Sequence, residues 1–111
     1  IKMKKKSTLK PKRKNEFRYH QVVIIKDGKK KKQKHPAYIW QQRGNVYDYH
    51  AMTHSDSIEG VTLRKFRKNP NPKDKRDAYY NAQSESDIKS SFGNKRKWRI
   101  DPDDRKDIHK K

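Results

Sequence analysis

The fold class predicted is mainly β with minor α: a small, curved antiparallel sheet or barrel carrying a C-terminal helix. Three observations predict it. The apolar and aromatic residues fall in short β-branched runs rather than at helical spacing. Gly, Asn, Asp and Pro punctuate those runs as turn signals. One strong helix start, Asp101-Pro102-Asp103-Asp104, appears only near the end of the chain.

Residues 1–15 form a basic arm with little to bury, expected to be disordered, ahead of a single domain spanning 16–111. Phe17 to Ile25 reads as the first strand, and Asp27-Gly28 as its end. The lysines that follow, Lys29, Lys30, Lys31, Lys32 and Lys34, cannot pack and are expected in an exposed loop. His35-Pro36 opens a second strand through Ala37-Tyr38-Ile39-Trp40-Gln41, since proline is tolerated at a strand's first residue. Arg43-Gly44-Asn45 is a turn, and Val46 to Thr53 returns as the partner strand of a hairpin. Period-two alternation sends Val46, Asp48, His50 and Met52 one way, and Tyr47, Tyr49, Ala51 and Thr53 the other.

His54 to Gly60 reads as loop and Val61 to Phe66 as strand. Asn69-Pro70-Asn71-Pro72 is loop chemistry, because the residue before each proline is pushed out of the helical region. Ala78 to Ala82 is a short strand. Ser84 to Asp87 caps a short helix running to Phe92, and Lys97 to Ile100 forms a last strand. With one domain and one core, Tyr38 and Trp40 pack inside, Trp98 packs against the final helix, and one of Tyr47 or Tyr49 stays exposed.

The 111 residues carry a formal charge of +19, with 28% hydrophobic and 41% charged residues. Such a chain repels itself and is neutralised by a polyanion, most simply a nucleic-acid backbone. An anionic membrane would need an amphipathic basic helix or a lipid anchor, and the sequence has neither. No run is long enough to span a bilayer, and no apolar segment follows the basic N-terminal residues as in a secretory signal. The absence of cysteine removes disulfides and thiolate metal sites and fits a reducing cytoplasm. No metal motif and no nucleotide-binding loop is present, so neither metal nor cofactor is expected.

Pairing of the two hairpin strands brings His35 towards Thr53, His54 and Ser55. An imidazole near neutral pKa moves protons, and hydroxyls and cations hold a phosphate. His35, Thr53 and Ser55 are therefore the catalytic candidates. The five lysines, Arg43, His54 and Arg64 are candidate RNA contacts. Each has a plainer reading: His35 and His54 as exposed loop histidines, Thr53 and Ser55 as turn residues satisfying backbone groups, the lysines as a solvated loop. His20 reads as structural and His109 as solvated.

His35-Pro36-Ala37-Tyr38-Ile39, then His50-Ala51-Met52-Thr53-His54-Ser55, resemble elements of the PemK/MazF-like endoribonuclease toxins. In that family a charged loop leads to an Arg-Pro step opening an apolar strand, and the next strand ends in small residues with Thr or Ser. Asp77-Ala78-Tyr79-Tyr80-Asn81-Ala82-Gln83 resembles the family's late strand, and Trp98 to Ile108 its closing strand and helix. The resemblance runs over roughly residues 17–110. The family's catalytic arginine corresponds by position to His35, and its usually shorter, glycine-rich loop is lysine-rich here. The resemblance implies an SH3-like barrel, a homodimer, an acidic antitoxin partner, and metal-independent cleavage of single-stranded RNA through 2′-OH attack. The alternative is a non-catalytic basic module that binds RNA, DNA or the ribosome.

Overall fold

A computed structural model describes residues 10–110. The chain is mainly β, an antiparallel open sheet with one short C-terminal helix. Among the described residues six strands run Lys12–Lys26 (β1), Lys29–Arg43 (β2), Val46–Thr53 (β3), Leu63–Lys65 (β4), Tyr79–Asn81 (β5) and Glu85–Ile88 (β6), followed by the helix Pro102–His109 (α1). Their order in the sheet is β1-β2-β3-β5-β4, and β6 also pairs with β3.

The longest element is the β1–β2 hairpin. Asp27 (φ 53°) and Gly28 (φ 73°) both take the left-handed conformation that a two-residue type I′ turn requires. This sets Lys26 opposite Lys29 and fixes the register as far as Glu16 opposite Ile39. The lysines expected in a loop are therefore strand residues: Lys30, Lys31 and Lys32 lie opposite Ile25, Ile24 and Val23. β-branched partners and an Asp-Gly turn outweigh the weak strand propensity of lysine. Beyond Gln21 and Lys34 the pair projects as a ribbon with Val23 and Ile25 exposed. The expected disorder of 12–15 is also corrected. Lys12 and Arg13 pair with Gln42 and Gln41, and a bulge separates them from Glu16. Residues 1–9 lie outside the described residues.

Arg43 pairs with Val46 across Gly44 and Asn45, with Gly44 at φ 59°. The other edge of β3 is shared. β6 covers Val46 to Tyr49, and β5 covers Met52 and Thr53. Two expectations fail here. The segment from Ser84 to Phe92 is strand β6 followed by a single 3-10 turn, Lys89–Ser91, because β3 offers Glu85 to Ile88 an unpaired edge. Residues 97–100 form no strand. The pairing falls earlier, in isolated bridges of Phe92 to His20 and Arg96 to Phe17 that lay the returning chain along β1. α1 matches expectation, with Asp101 as N-cap accepting from the Asp103 N–H at 3.1 Å and Pro102 in its first turn.

Both faces of the sheet are packed, which overturns the single core. Phe17, Tyr38, Met52, Phe66, Ala78 and Tyr80 form one cluster, with Trp98, Ile100 and Ile108 against it. Ala37, Ile39, Tyr47 and Tyr49 form the other, beneath Ala51 and Phe92. Neither Tyr47 nor Tyr49 is exposed, and Trp40 is only half-buried, its indole N–H donating to Ser84 at 2.7 Å. His109 is half-buried rather than solvated, with Nε2 3.1 Å from the Tyr38 hydroxyl. His20 is structural, as expected, stacked on Phe92 and 2.7 Å from the Asp87 carboxylate.

Two buried carboxylates join the elements. Asp48 receives two bonds from Arg43 (2.8 and 2.7 Å) and one each from Gln41 (2.7 Å) and Ser86 (2.6 Å), linking β2, β3 and β6. Asp104 is 1% exposed and accepts the backbone N–H groups of Arg67 and Lys68 at 2.8 and 3.1 Å, tying α1 to the chain after β4. Replacing Asp104 by Ala orphans two backbone donors, so Asp104→Ala is expected to cost about 2–4 kcal/mol. Urea titration of the two proteins measures the difference, and an unchanged midpoint would show that α1 is not anchored through this carboxylate.

Candidate functional site

The site forms where β2 leaves the sheet to become the ribbon. Ala37 lies opposite Ala51, and continuing that register by two residues sets His35 beside Thr53. The chain turns sharply after Thr53. Its Oγ1 accepts the Ser55 N–H at 3.1 Å, while the Ser55 hydroxyl donates to the Ser57 carbonyl at 2.7 Å. His35, Thr53, His54 and Ser55 all line one open cleft of about 470 Å³, closed on other sides by Tyr19, Pro36 and Trp98.

The opposite wall comes from the Asn69-Pro70-Asn71-Pro72 loop. The loop is built by its own side chains. Asn69 Oδ1 accepts the Asn71 N–H, Asn71 Oδ1 the Lys73 N–H, and Asp74 Oδ1 the Arg76 N–H, each at 3.0 Å. Asn69, Asn71, Asp74 and Arg76 thereby reach the cleft. The repeated Asn-Pro step is the sequence signal for this shaping, but only the fold shows which strand ends it faces.

His54 is held from both sides. Its Nδ1 lies 2.9 Å from the Asp77 carbonyl and its Nε2 3.1 Å from Asp74 Oδ2. Both neighbours are oxygens, so each ring nitrogen is held in place. Asp74 is also gripped by Arg76 through Nε (3.0 Å) and Nη2 (2.8 Å), which holds its carboxyl well below the usual range. His35 has only a long 3.4 Å contact to Gln33, and its ring is exposed. Of the two imidazoles in the cleft, His35 is exposed with one long contact and His54 is braced.

The other sequence candidates are placed elsewhere. Lys29 to Lys32 run out along the ribbon and do not line the cleft. Lys34 lines a smaller neighbouring cleft of about 300 Å³ together with Tyr19, Gln21 and Arg96. Arg43 sits eight residues from His35, about 26 Å along the strand at roughly 3.3 Å per residue, and is engaged by Asp48. Arg64 is exposed on β4, outside the cleft lining. Ser55 is committed to its own turn, whereas Thr53 keeps its hydroxyl proton. Among the described residues, no three His, Asp or Glu side chains group to hold a metal ion, and no helix is long and apolar enough to cross a membrane.

Behind the cleft, β3 carries a buried His50 whose Nδ1 donates to the Asn81 carbonyl at 2.8 Å. Burial pushes its imidazole below the ordinary 6.5, and burial followed by Arg13 does the same to His109. The unfolded chain then binds protons that the folded chain refuses. Stability is therefore expected to be full near neutral pH and to fall as pH drops below about 6.5. Melting temperatures measured between about pH 7.5 and pH 5.5 test this, and His50→Gln, which retains an amide donor but does not titrate, is expected to flatten the decline. A wild-type curve that is level over this range would contradict it. No family model matches the chain, and no curated protein or solved structure is significantly similar to it.

Proposed function

We propose that this protein is a small metal-independent endoribonuclease of PemK/MazF-like type, acting on single-stranded RNA from the His35 cleft. The observation that carries the reading is the convergence of His35, Thr53, His54 and Arg76 on one open cleft in a chain of +19 charge. An SH3-like barrel is the matching fold. What supports it is the return of Phe92 and Arg96 onto β1, which carries the chain leaving β6 from the β3 edge across to the first strand.

The chemistry needs a mobile proton and a place for negative charge. His35 takes the proton from the 2′-OH, and the freed oxygen bonds to the adjacent phosphorus. The bond to the 5′-oxygen breaks, that oxygen takes a proton from water while His35 returns its own to solvent, and the products carry a 2′,3′-cyclic phosphate and a 5′-hydroxyl. Thr53 donates its hydroxyl to a phosphate oxygen, and the guanidinium N–H groups of Arg76 that Asp74 leaves free donate to it from the opposite wall. Ser55 acts indirectly, by holding the turn that presents Thr53 and His54. The high positive charge also suits an acidic antitoxin as partner, and the family likeness adds a homodimer. A second reading is favoured by the ribbon, whose six lysines (Lys26, Lys29 to Lys32 and Lys34) lie outside the cleft. On that reading the protein binds RNA or DNA without cutting it.

The test is incubation of purified protein with labelled single-stranded RNA in excess EDTA, beside DNA of the same sequence. RNA alone is expected to be cut, leaving cyclic phosphate ends, and His35→Ala is expected to slow cutting by about 10²- to 10⁴-fold. Uncut RNA retained as a salt-sensitive complex would instead establish the binding module.

A further inference from the structure

We propose that the groove between residues 95–100 and the start of α1 is a second binding site. Its ligand is the phosphate backbone of a single strand that continues out of the His35 cleft. The proposal rests on reading that cleft as a nucleic-acid site, and it names the path the rest of the strand takes.

The groove has a volume of about 780 Å³ and is lined by Lys95, Arg96, Lys97, Arg99 and Arg105, with Trp98 between them and no acidic side chain. Elsewhere the cations near acids are paired, as Arg43 with Asp48, Arg67 with Asp107, and Arg76 with Asp74. Among the described residues none of the five groove cations forms an ion pair. Five unpaired positive charges in one depression repel one another, and a polyanion relieves that repulsion. The guanidinium forks of Arg96, Arg99 and Arg105 match phosphate oxygens geometrically.

The groove also adjoins the candidate site. Trp98 lines both depressions, and Tyr19 lines both the His35 cleft and the smaller cleft containing Lys34 and Arg96. The Tyr19 and Trp98 rings meet edge to face at 5.8 Å, and the Arg96 guanidinium lies over both, 5.5 Å from Tyr19 and 5.9 Å from Trp98. A strand leaving the cleft therefore crosses an aromatic and guanidinium platform before reaching the cations. Stacking surfaces beside a basic channel bind single strands with little sequence preference, because every base has a face to stack.

The test uses full-length protein and 2′-O-methyl RNA, which lacks the attacking hydroxyl. Labelled strands of about four and about twelve nucleotides span the range of such sites. Lys97→Glu/Arg99→Glu reverses two groove charges. Lys89→Glu/Lys106→Glu reverses two exposed charges that line none of the three clefts. Fluorescence anisotropy is expected to show at least tenfold weaker binding of the long strand by the groove variant. Its log–log salt slope should fall by about 1.4, the share of two phosphates. The short strand should change by less than about threefold, as should the control variant with either strand, since rim charges outside the path act only through the screened field. Equal losses in the two variants, or equal losses of short and long strands, would overturn the groove. Wild-type protein that binds neither strand overturns both this site and the functional reading. Wild-type protein that binds with these signatures but leaves unmodified RNA intact overturns the nuclease alone and upholds the groove.

Discussion

Asp27 and Gly28, both at positive φ, place Lys26 opposite Lys29, and that register holds along the β1–β2 ladder as far as Glu16 opposite Ile39. Phe17 meets Tyr38 on one face, and His20 meets His35 on the other. A slip of one residue would exchange the faces, burying the ribbon-side polar set and exposing Phe17 and Tyr38. The same register carries β2 past β3, so that His35 stands where β3 ends and the ribbon begins. The cores, the cleft and the projecting lysines are all consequences of one two-residue turn.

The chain's thirteen acidic residues are not distributed as a neutralising coat. Several act as connectors: Asp48 joins three strands, Asp104 anchors the helix, Asp87 holds His20, and Asp74 braces His54 and Arg76. Carboxylates that accept several hydrogen bonds are well suited to this, since each oxygen has more than one acceptor position. With acids committed to internal bonds, much of the cationic surface is left uncompensated. A small domain of modest apolar content is thus held together by its minority charge and presents its majority charge outward.

Alternation along β3 was legible from the residues alone, and its two faces do separate into two clusters, Met52 on one side and Tyr47 with Tyr49 on the other. The helix start at Asp101 was legible because cap, proline and acids all act locally. The lysine run was misread because a loop and a paired strand differ there only in what lies opposite, and Ile24 and Ile25 do so through the turn. Glu85 to Ile88 was misread as helix for a similar reason. Its strand form depends on a vacant edge of β3, which no local propensity encodes. The convergence of His35, Thr53, His54 and Ser55 followed from hairpin pairing. Asn69, Asn71, Asp74 and Arg76 were out of reach, since they come to the cleft from a distant loop.

By itself, the sequence determined the charge, the mainly β character, the hairpin order and the capped C-terminal helix. These are local or additive properties, set by residue type, period and neighbouring turn chemistry. Only the tertiary structure decided that both sheet faces are packed and that Arg43 belongs to Asp48 rather than to the surface. It also decided that the segment after Gly93 lies along β1, with its cations beside Trp98. Those outcomes depend on pairings between residues far apart in the chain, whose energies arise only once the register of β1 and β2 has brought the partners together.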